Sequence, residues 1–491
     1  MKLSAKEKAL FIVSLMCVFH LTYAQSADTT SSEEAAIAED VNTQDERADE
    51  TEYQYTRILY IEPPIPLAAI ENAVAVDFSA QFTSAEQQAT EPEESVFSDL
   101  SPAQQDYLQR LEEIGDFDQI LEELEIEGGA WSVQIAQELA DLGELLQAQG
   151  KFAESIDVLD RAVHINRVNS GLFSPNQVPL ISKVVDAHVA LGQWSEADDR
   201  QQYAFYVQTR AYSISDPRMI DVFDNLARWN ITTFYRGIDE DPNPRLVQTY
   251  MLYRAATESV ATHFGTQDPR YLPLLHKVAG AADLMGRYSL PGESIGSNIN
   301  PNLRMTTQFA GGSMRPQGRS DSGIDALEAI VAYYNDPKLP KTEENLVARA
   351  RAIAELGDWY LLRDRRQAAA RTYEEAYEQL LSVENSAELL SQVFGEIVFL
   401  PTFSAFDEQR KEAFGIGPDS GARMGYVDLA FDVNQYGRLS NFEVLAIHPE
   451  DMTRADIQVI SSMRSKLVRP RIGENGAQSS ELERYRFNFW Y

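Results

Sequence analysis

The pentapeptide GESIG at 292–296 has the residue types of a hydrolase nucleophile motif. In a Gly-x-Ser-x-Gly elbow, the serine hydroxyl stands on a sharp turn between a strand and a helix, where a histidine activates it. Here Ser294 lies in a stretch rich in Pro, Gly and Asn without a preceding strand pattern, and His448 is the only histidine downstream. Because the required context is missing, serine hydrolysis is not predicted.

Metal and phosphate sites lack their usual motifs too. Residues 311–318, GGSMRPQG, have no Lys-Ser/Thr pair of the kind that a phosphate-binding loop requires. No histidine lies in a His-Glu-x-x-His arrangement; those after the first 25 residues are His164, His188, His263, His276 and His448. We therefore predict no cofactor, no metal and no enzymatic activity.

A basic cluster near the C-terminus is the one concentration of charge that stands out. Arg464, Lys466, Arg469 and Arg471 place four positive charges within eight residues, whereas the 491-residue chain has a net charge of −34. The cluster is either a solubilising surface or a clamp for an anionic partner or for the acidic part of this chain. The overall charge disfavours nucleic acid as a partner.

The first 24 residues have the layout of a signal peptide. Three lysines precede an apolar run at 9–23, and small residues precede Gln25. Cleavage after Ala24 predicts an exported, periplasmic protein, and retention of the run as an inner-membrane anchor is the alternative. Cys17 is the only cysteine, so the mature chain would have no disulfide.

Residues 25–100 form an acidic segment, with 18 Asp and Glu against two Arg. Such a composition buries little apolar surface, so we predict a largely disordered linker. The apolar, proline-containing patch at 56–78 interrupts it. The patch is either a short strand lying on the folded body or a docking motif for a partner.

From 101 to 400 the apolar residues recur at helical spacing. Gly150 and Gly192 are 42 residues apart, as are Pro175 and Pro217, and Phe152 and Trp194 follow the two glycines at the same distance. The pattern resembles the tetratricopeptide repeat (TPR), a helix-turn-helix unit of about 34 residues. Its length resembles the longer helices of kinesin-light-chain repeats. We expect deep burial of Phe152 and Trp194.

Other parts of this region fit the repeat less regularly. A third unit is predicted at 250–288, and a clear one returns at 352–380, where Leu356-Gly357 precedes Tyr373 and Ala376. Residues 101–121 would cap the start of the repeats. A stretch at 286–323, rich in Gly, Ser, Asn and Pro, predicts a loop insertion.

The C-terminal 424–491 predicts strand, strand, helix and strand. Val427 to Val433 alternate, Gly437 supplies a turn, and 452–468 have helical spacing. In the last strand Tyr485, Phe487 and Phe489 share one face. The region resembles the C-terminal domain family of TonB, through Gly425 and Val427, Phe431 to Gly437, Val444-Leu445, Arg464 to Val468, Pro470, Gly476 and Phe487 to Phe489.

These features predict a mainly α fold: a TPR-type solenoid followed by a small α+β, TonB-like domain with β-β-α-β order. The expected function is a non-enzymatic periplasmic scaffold that binds protein or peptide partners. The resemblance implies an outer-membrane transporter as one partner, and a membrane-anchored energy transducer as the alternative function.

We expect the last strand, at 482–491, to be either simply the third strand of a small sheet or a strand whose open edge pairs with a partner. The candidate partner-binding residues are Arg469, Arg471, Arg484, Arg486 and Trp490.

Overall fold

The computed structural model describes residues 57–70, 122–123, 125–126, 129–288, 323–403, 406–417, 421–450, 452 and 454–491. These residues all belong to one unit of contacts. The predictions for the signal peptide at 1–24, for the cap at 101–121, for 292–296 and 311–318, and for most of the acidic linker lie outside them.

The larger part of the structure is helical, as predicted. Its helices, numbered along the chain, are α1 (Val133–Ala148), α2 (Phe152–Ser170), α3 (Val178–Ala190), α4 (Trp194–Ala211), α5 (Met219–Arg236), α6 (Asn243–His263), α7 (Tyr271–Tyr288), α8 (Ile324–Tyr334), α9 (Glu343–Leu362), α10 (Arg366–Leu381) and α11 (Ser386–Phe394). None of the described helices is both long enough and apolar enough to span a bilayer.

Three hairpins, α1–α2, α3–α4 and α9–α10, have the same turn. The turn residue is left-handed in each, with φ of 75° at Gly150, 73° at Gly192 and 56° at Asp364. The next backbone N–H then donates to a carbonyl five residues earlier, as Lys151 does to Leu146 at 2.9 Å. This closure satisfies carbonyls that the helix end leaves unpaired. The helical-hairpin repeat is therefore confirmed.

Small residues let the paired helices approach closely. The buried Ser155 hydroxyl of α2 donates to the Gly143 carbonyl of α1 at 2.8 Å. A methyl group added at Gly143 would lie 2.6 Å from Leu159, and one added at Gly357 would lie 2.5 Å from Tyr373. The tight positions are thus equivalent in the first and last hairpins.

The predicted deep burial of Phe152 and Trp194 is wrong, because both side chains are only half-buried. Each is the first residue of its helix, at the turn end of its hairpin, where little besides the next helix can cover it. Trp194 is covered in this way by a stacked Trp229 of α5. The fully buried positions lie one turn further along each helix, at Ser155 and Ala197.

The unit predicted at 250–288 divides between two helices. It covers the second half of α6 and all of α7, while α6 itself begins at Asn243 and packs against both α5 and α7. The predicted loop at 286–323 also begins too early, since α7 continues to Tyr288. Residues 289–322 lie outside the described residues.

The C-terminal region contains a sheet and a helix in the predicted β-β-α-β order. The segments from 57 onward that complete the structure are β1 (Tyr60–Ile61), β2 (Ile65–Pro66), β3 (Val398–Phe399), α12 (Asp407–Ala413), β4 (Met424–Val433), β5 (Leu439–His448), α13 (Ala455–Arg464), β6 (Val468–Arg469), β7 (Arg471–Gly473), β8 (Gly476–Gln478) and β9 (Ser480–Trp490).

The main sheet is antiparallel, with the order β1-β9-β4-β5 and with β2 also paired to β9. Gly437, with φ of 73°, forms the β4–β5 turn. The sheet therefore joins residues near 60 to the last strand of the chain.

Candidate functional site

The last strand, β9, has the two faces that the sequence predicts. Tyr485, Phe487 and Phe489 are buried, and they share a core with Val459 and Met463 of α13. Arg484 is exposed on the other face, and Trp490 is half-buried. Burial of one face sets the register of the strand, because a slip by one residue would expose all three aromatic rings.

The open edge, one of the two alternatives for β9, is closed along residues 485–490. One side of β9 pairs with β4, and the other side pairs with β1 and β2. We call residues 58–66 the strap. The interpretation of the 56–78 patch as a strand lying on the folded body is confirmed for the strap. Residues 71–78 lie outside the described residues.

Side chains as well as strand pairing hold the strap. Tyr60 is 1% exposed, and its hydroxyl donates to Asp407 of α12 at 2.6 Å. Glu62 accepts from Lys411 at 2.7 Å and from the indole N–H of Trp490 at 2.9 Å. Burial raises the pKa of the Glu62 carboxyl, but these donors outweigh burial and the pKa is lowered from its usual value of 4.5.

Arg469 lies in a buried ion pair that joins the C-terminal region to the helical repeat. Its guanidinium donates twice to Asp358 of α9, with Nε 2.8 Å from Oδ1, and the two residues are 4% and 0% exposed. The Tyr373 hydroxyl also donates to Asp358, at 2.8 Å. Burial favours the neutral guanidine, but the Asp358 carboxylate outweighs it and raises the pKa of Arg469.

Three of the other four candidates also contact partners within the chain. Arg471 pairs with Glu483 at 2.9 and 3.1 Å, and Arg486 pairs with Asp428 at 2.8 Å through both donors. Trp490 donates to Glu62 as described above. Arg484 alone of the five is exposed without a partner among the described residues. The structure thus pairs Arg469, Arg471 and Arg486 with carboxylates of their own chain.

The open edge of the sheet lies on β5 instead. Among the residues that the structure describes, no strand pairs with the outer side of β5. The strand is ten residues long, and Val444 and Leu445 are each 37% exposed. Its pairing with β4 is irregular at two places. Leu445 is an extra residue between the paired Val444 and Ala446, and Asn441 has φ of 53° and donates its amide to Asp432 of β4 at 2.7 Å. A long edge with exposed apolar side chains is a template for another strand.

Within the described ranges, no group of three or more His, Cys, Asp and Glu side chains could hold a metal ion. His276 of α7 lies 3.1 Å from Glu355 of α9 and joins two repeat helices.

Comparison with known proteins gives structural neighbours among solved structures only. No family model matches the chain, and no curated protein matches it. A putative kinesin light chain from Podosopora anserina with TPR-like repeats is 17% identical, at a TM-score of 0.31 over 52% of this chain and 99% of the other. BtubC (BKLC) from P. vanneervenii is 14% identical, at 0.27 over 56% and 92%. These sequence identities and TM-scores are too low to assign the fold by themselves. The assignment of a helical-hairpin repeat therefore rests on the hairpins observed in this chain.

Sequence reasoning missed the strap contacts and the Asp358–Arg469 pair. Asp358 reads as one more surface carboxylate of a helix, and only its position directly after the tightly packed Gly357 marks it as inward-facing. For the strap, the available signal was an apolar run in an acidic segment.

Proposed function

We propose that this protein is a non-enzymatic scaffold that binds an extended segment of a protein partner along the outer edge of β5. The observation that carries the proposal is this edge, which has no strand partner among the described residues although it runs for ten residues. A peptide added to a sheet edge gains affinity from main-chain hydrogen bonds and selectivity from alternate side chains. Val444 and Leu445 supply exposed apolar side chains along the edge.

The helical repeat supplies the body on which this edge is presented. Stacked helical hairpins form an extended surface in which each unit contacts its neighbours. The buried Asp358–Arg469 pair fixes the C-terminal region to this body, so both surfaces move together. A scaffold that holds two partners at a set spacing needs such a connection.

We further propose that the C-terminal region is a TonB-like domain and that the protein acts in the periplasm. The β-β-α-β order, the glycine turn and the aromatic last strand support the first proposal, and the signal-like N-terminus supports the second. The partner would then be the periplasmic segment of an outer-membrane transporter. Because the strap covers β9, the segment would bind β5.

A photo-crosslinking amino acid at position 445 tests the binding surface in the cell envelope. Position 457 is the matched control, because Ile457 is also an exposed apolar residue of the same region but lies on α13. We expect a partner crosslink at 445 that Val444→Lys abolishes and that is absent at 457. Equal crosslinking at both positions would reject the β5 edge.

The mature N-terminus tests the location separately. An N-terminal Gln25 on protein from the periplasmic fraction is the expected result. A full-length chain that stays in the membrane fraction would instead favour the anchored transducer.

A further inference from the structure

A cavity of about 380 Å³ lies where the strap, the helical repeat and the C-terminal region meet. Its walls include Tyr60 of the strap, Tyr235 and Leu284 of the repeat, Phe406 before α12, and Met463 of α13. Aromatic and aliphatic walls at this volume are typical of sites for small ligands. We call it the junction cavity.

Three cations from three different elements line the junction cavity: Arg287 of α7, Arg410 of α12, and Lys466 after α13. Arg287 pairs with Asp283. The side-chain ammonium of Lys466 has no hydrogen-bond or ion-pair partner among the described residues. The Nε of Arg410 is buried without an acceptor, and its guanidinium lies 5.0 Å from the Tyr60 ring and 5.3 Å from the Tyr235 ring.

The acids at the junction cavity are already engaged. Asp407 accepts from the Tyr60 hydroxyl, and Glu62 accepts from Lys411 and Trp490. Burial and then the neighbouring Arg410 and Arg287 lower the pKa of Lys466, against the weaker opposite effect of Asp407 and Asp283. A cavity with more cations than available acids is unusual on a chain of net charge −34, and an anion would supply the missing countercharge.

We propose that the junction cavity binds a small organic carboxylate, whose acid group pairs with Lys466 and Arg410 and whose apolar body packs against Tyr60, Tyr235 and Phe406. The apolar walls distinguish this ligand from an inorganic anion, which would use the charge alone. The junction cavity does not include the β5 edge. The two proposals can therefore be tested independently, and failure of one does not affect the other.

Titration of the full chain with matched acids and amides tests the proposal. The probes are benzoate, 3-phenylpropanoate and 5-phenylpentanoate, each with its neutral amide. We expect at least one acid to bind about tenfold or more tightly than its amide, since a charge-assisted bond contributes roughly this factor. Lys466→Met should remove the preference, Lys466→Arg should keep it, and Lys338→Met is the exposed-lysine control.

A labelling measurement on the unaltered protein avoids any folding defect of the variants. Trace acetylation followed by mass spectrometry should show that the bound acid protects Lys466, while Lys338 reacts unchanged. The proposal is overturned if none of the acids protects Lys466, or if acids and amides protect it equally. Equal protection by inorganic phosphate at matched ionic strength would also overturn it, because the apolar walls would then have no role.

Discussion

The contrast between Arg469 and Arg471 shows how burial decides the value of an ion pair. The two residues are two positions apart, and each donates twice to one carboxylate. Arg469 and Asp358 are almost fully buried, whereas the Arg471 side chain is 44% exposed. Water screens the second pair, and a buried charge without its partner is very costly.

We therefore expect Arg469→Met to lower the free energy of unfolding by about 3–5 kcal/mol. Arg471→Met, the matched control, should lower it by about 1 kcal/mol or less. Adding Asp358→Leu to Arg469→Met should recover part of the loss, because no charge is then left buried. Urea unfolding of the three variants measures these differences. Equal losses in the two single variants would show that burial of the pair does not matter.

Glu62 makes the strap sensitive to acid. The folded pKa of this carboxyl lies below the unfolded value of 4.5, so the stabilisation from its charged form is complete above pH 4.5. It is lost as the pH falls through the lower folded value. We expect the protection of the amides at 58–66, relative to the intrinsic exchange rate at each pH, to fall in that range before the helices lose protection. Glu62→Gln should remove this fall in protection, and constant protection in the native protein would contradict the prediction.

At the scale of elements, Gly143 sets the distance between α1 and α2. Gly143→Ala would place a methyl group 2.6 Å from Leu159, which is completely buried and has no space to move into. We expect a loss of about 1–3 kcal/mol in stability from this overpacking. Gly417→Ala is the control, because its added methyl group meets no atom within 4 Å. Thermal unfolding of both variants should show a shift only for Gly143→Ala.

His276 connects α7 to α9 in a pH-dependent way. One ring nitrogen faces the Leu272 carbonyl at 3.0 Å and the other faces Glu355 at 3.1 Å, so two acceptors favour the doubly protonated ring. Burial lowers the pKa of His276, but Glu355 outweighs it and the pKa is raised above 6.5. The stabilisation of the folded state by this contact is therefore complete below pH 6.5. It is lost as the pH rises through the pKa of His276 in the folded protein.

The free energy of unfolding is measured by urea titration at pH values from 6 to 9. We expect it to fall more for the native protein than for His276→Gln as the pH rises. Parallel stability profiles for the two proteins would show that the ring has no charge-dependent role.

The elements that sequence reasoning predicted are those with a local signal. The alternation of Tyr485, Phe487 and Phe489 identifies their buried face, because side chains of a strand point alternately to its two sides. The glycines at 150 and 192 mark hairpin turns for an equally local reason. The strap has no such signal, because β1 and β2 are two residues each and their partner lies more than 400 residues away.

The candidate site was predicted less well for a related reason. Charged residues usually lie on the surface, so the sequence favoured exposed arginines that bind a partner. Which carboxylate faces an arginine depends on how the helical repeat and the C-terminal region pack, and that packing is not a property of either segment alone.

At the scale of the whole molecule, the strap acts as an edge cover for β9. A variant that lacks residues 1–67 should expose that edge and associate with itself as the concentration rises, because two open edges can pair. Light scattering after size-exclusion chromatography measures the change. A peptide of residues 57–67 added in trans should restore the mass that the full-length chain has at the same concentration. A variant whose mass equals that of the full-length chain at all concentrations would show that the edge is protected in another way.

The pairing of the strap with β9 also has a consequence for biosynthesis. Glu62 and Trp490 are 428 residues apart, and β9 leaves the ribosome after every other described element. Contacts of such separation form late, since a very long loop must close first. An inner strand of the sheet then arrives after the other described strands, and a chain that terminates before Ser480 would leave the strap and one side of β4 without a partner. Completion of the sheet would in this way report that translation reached β9.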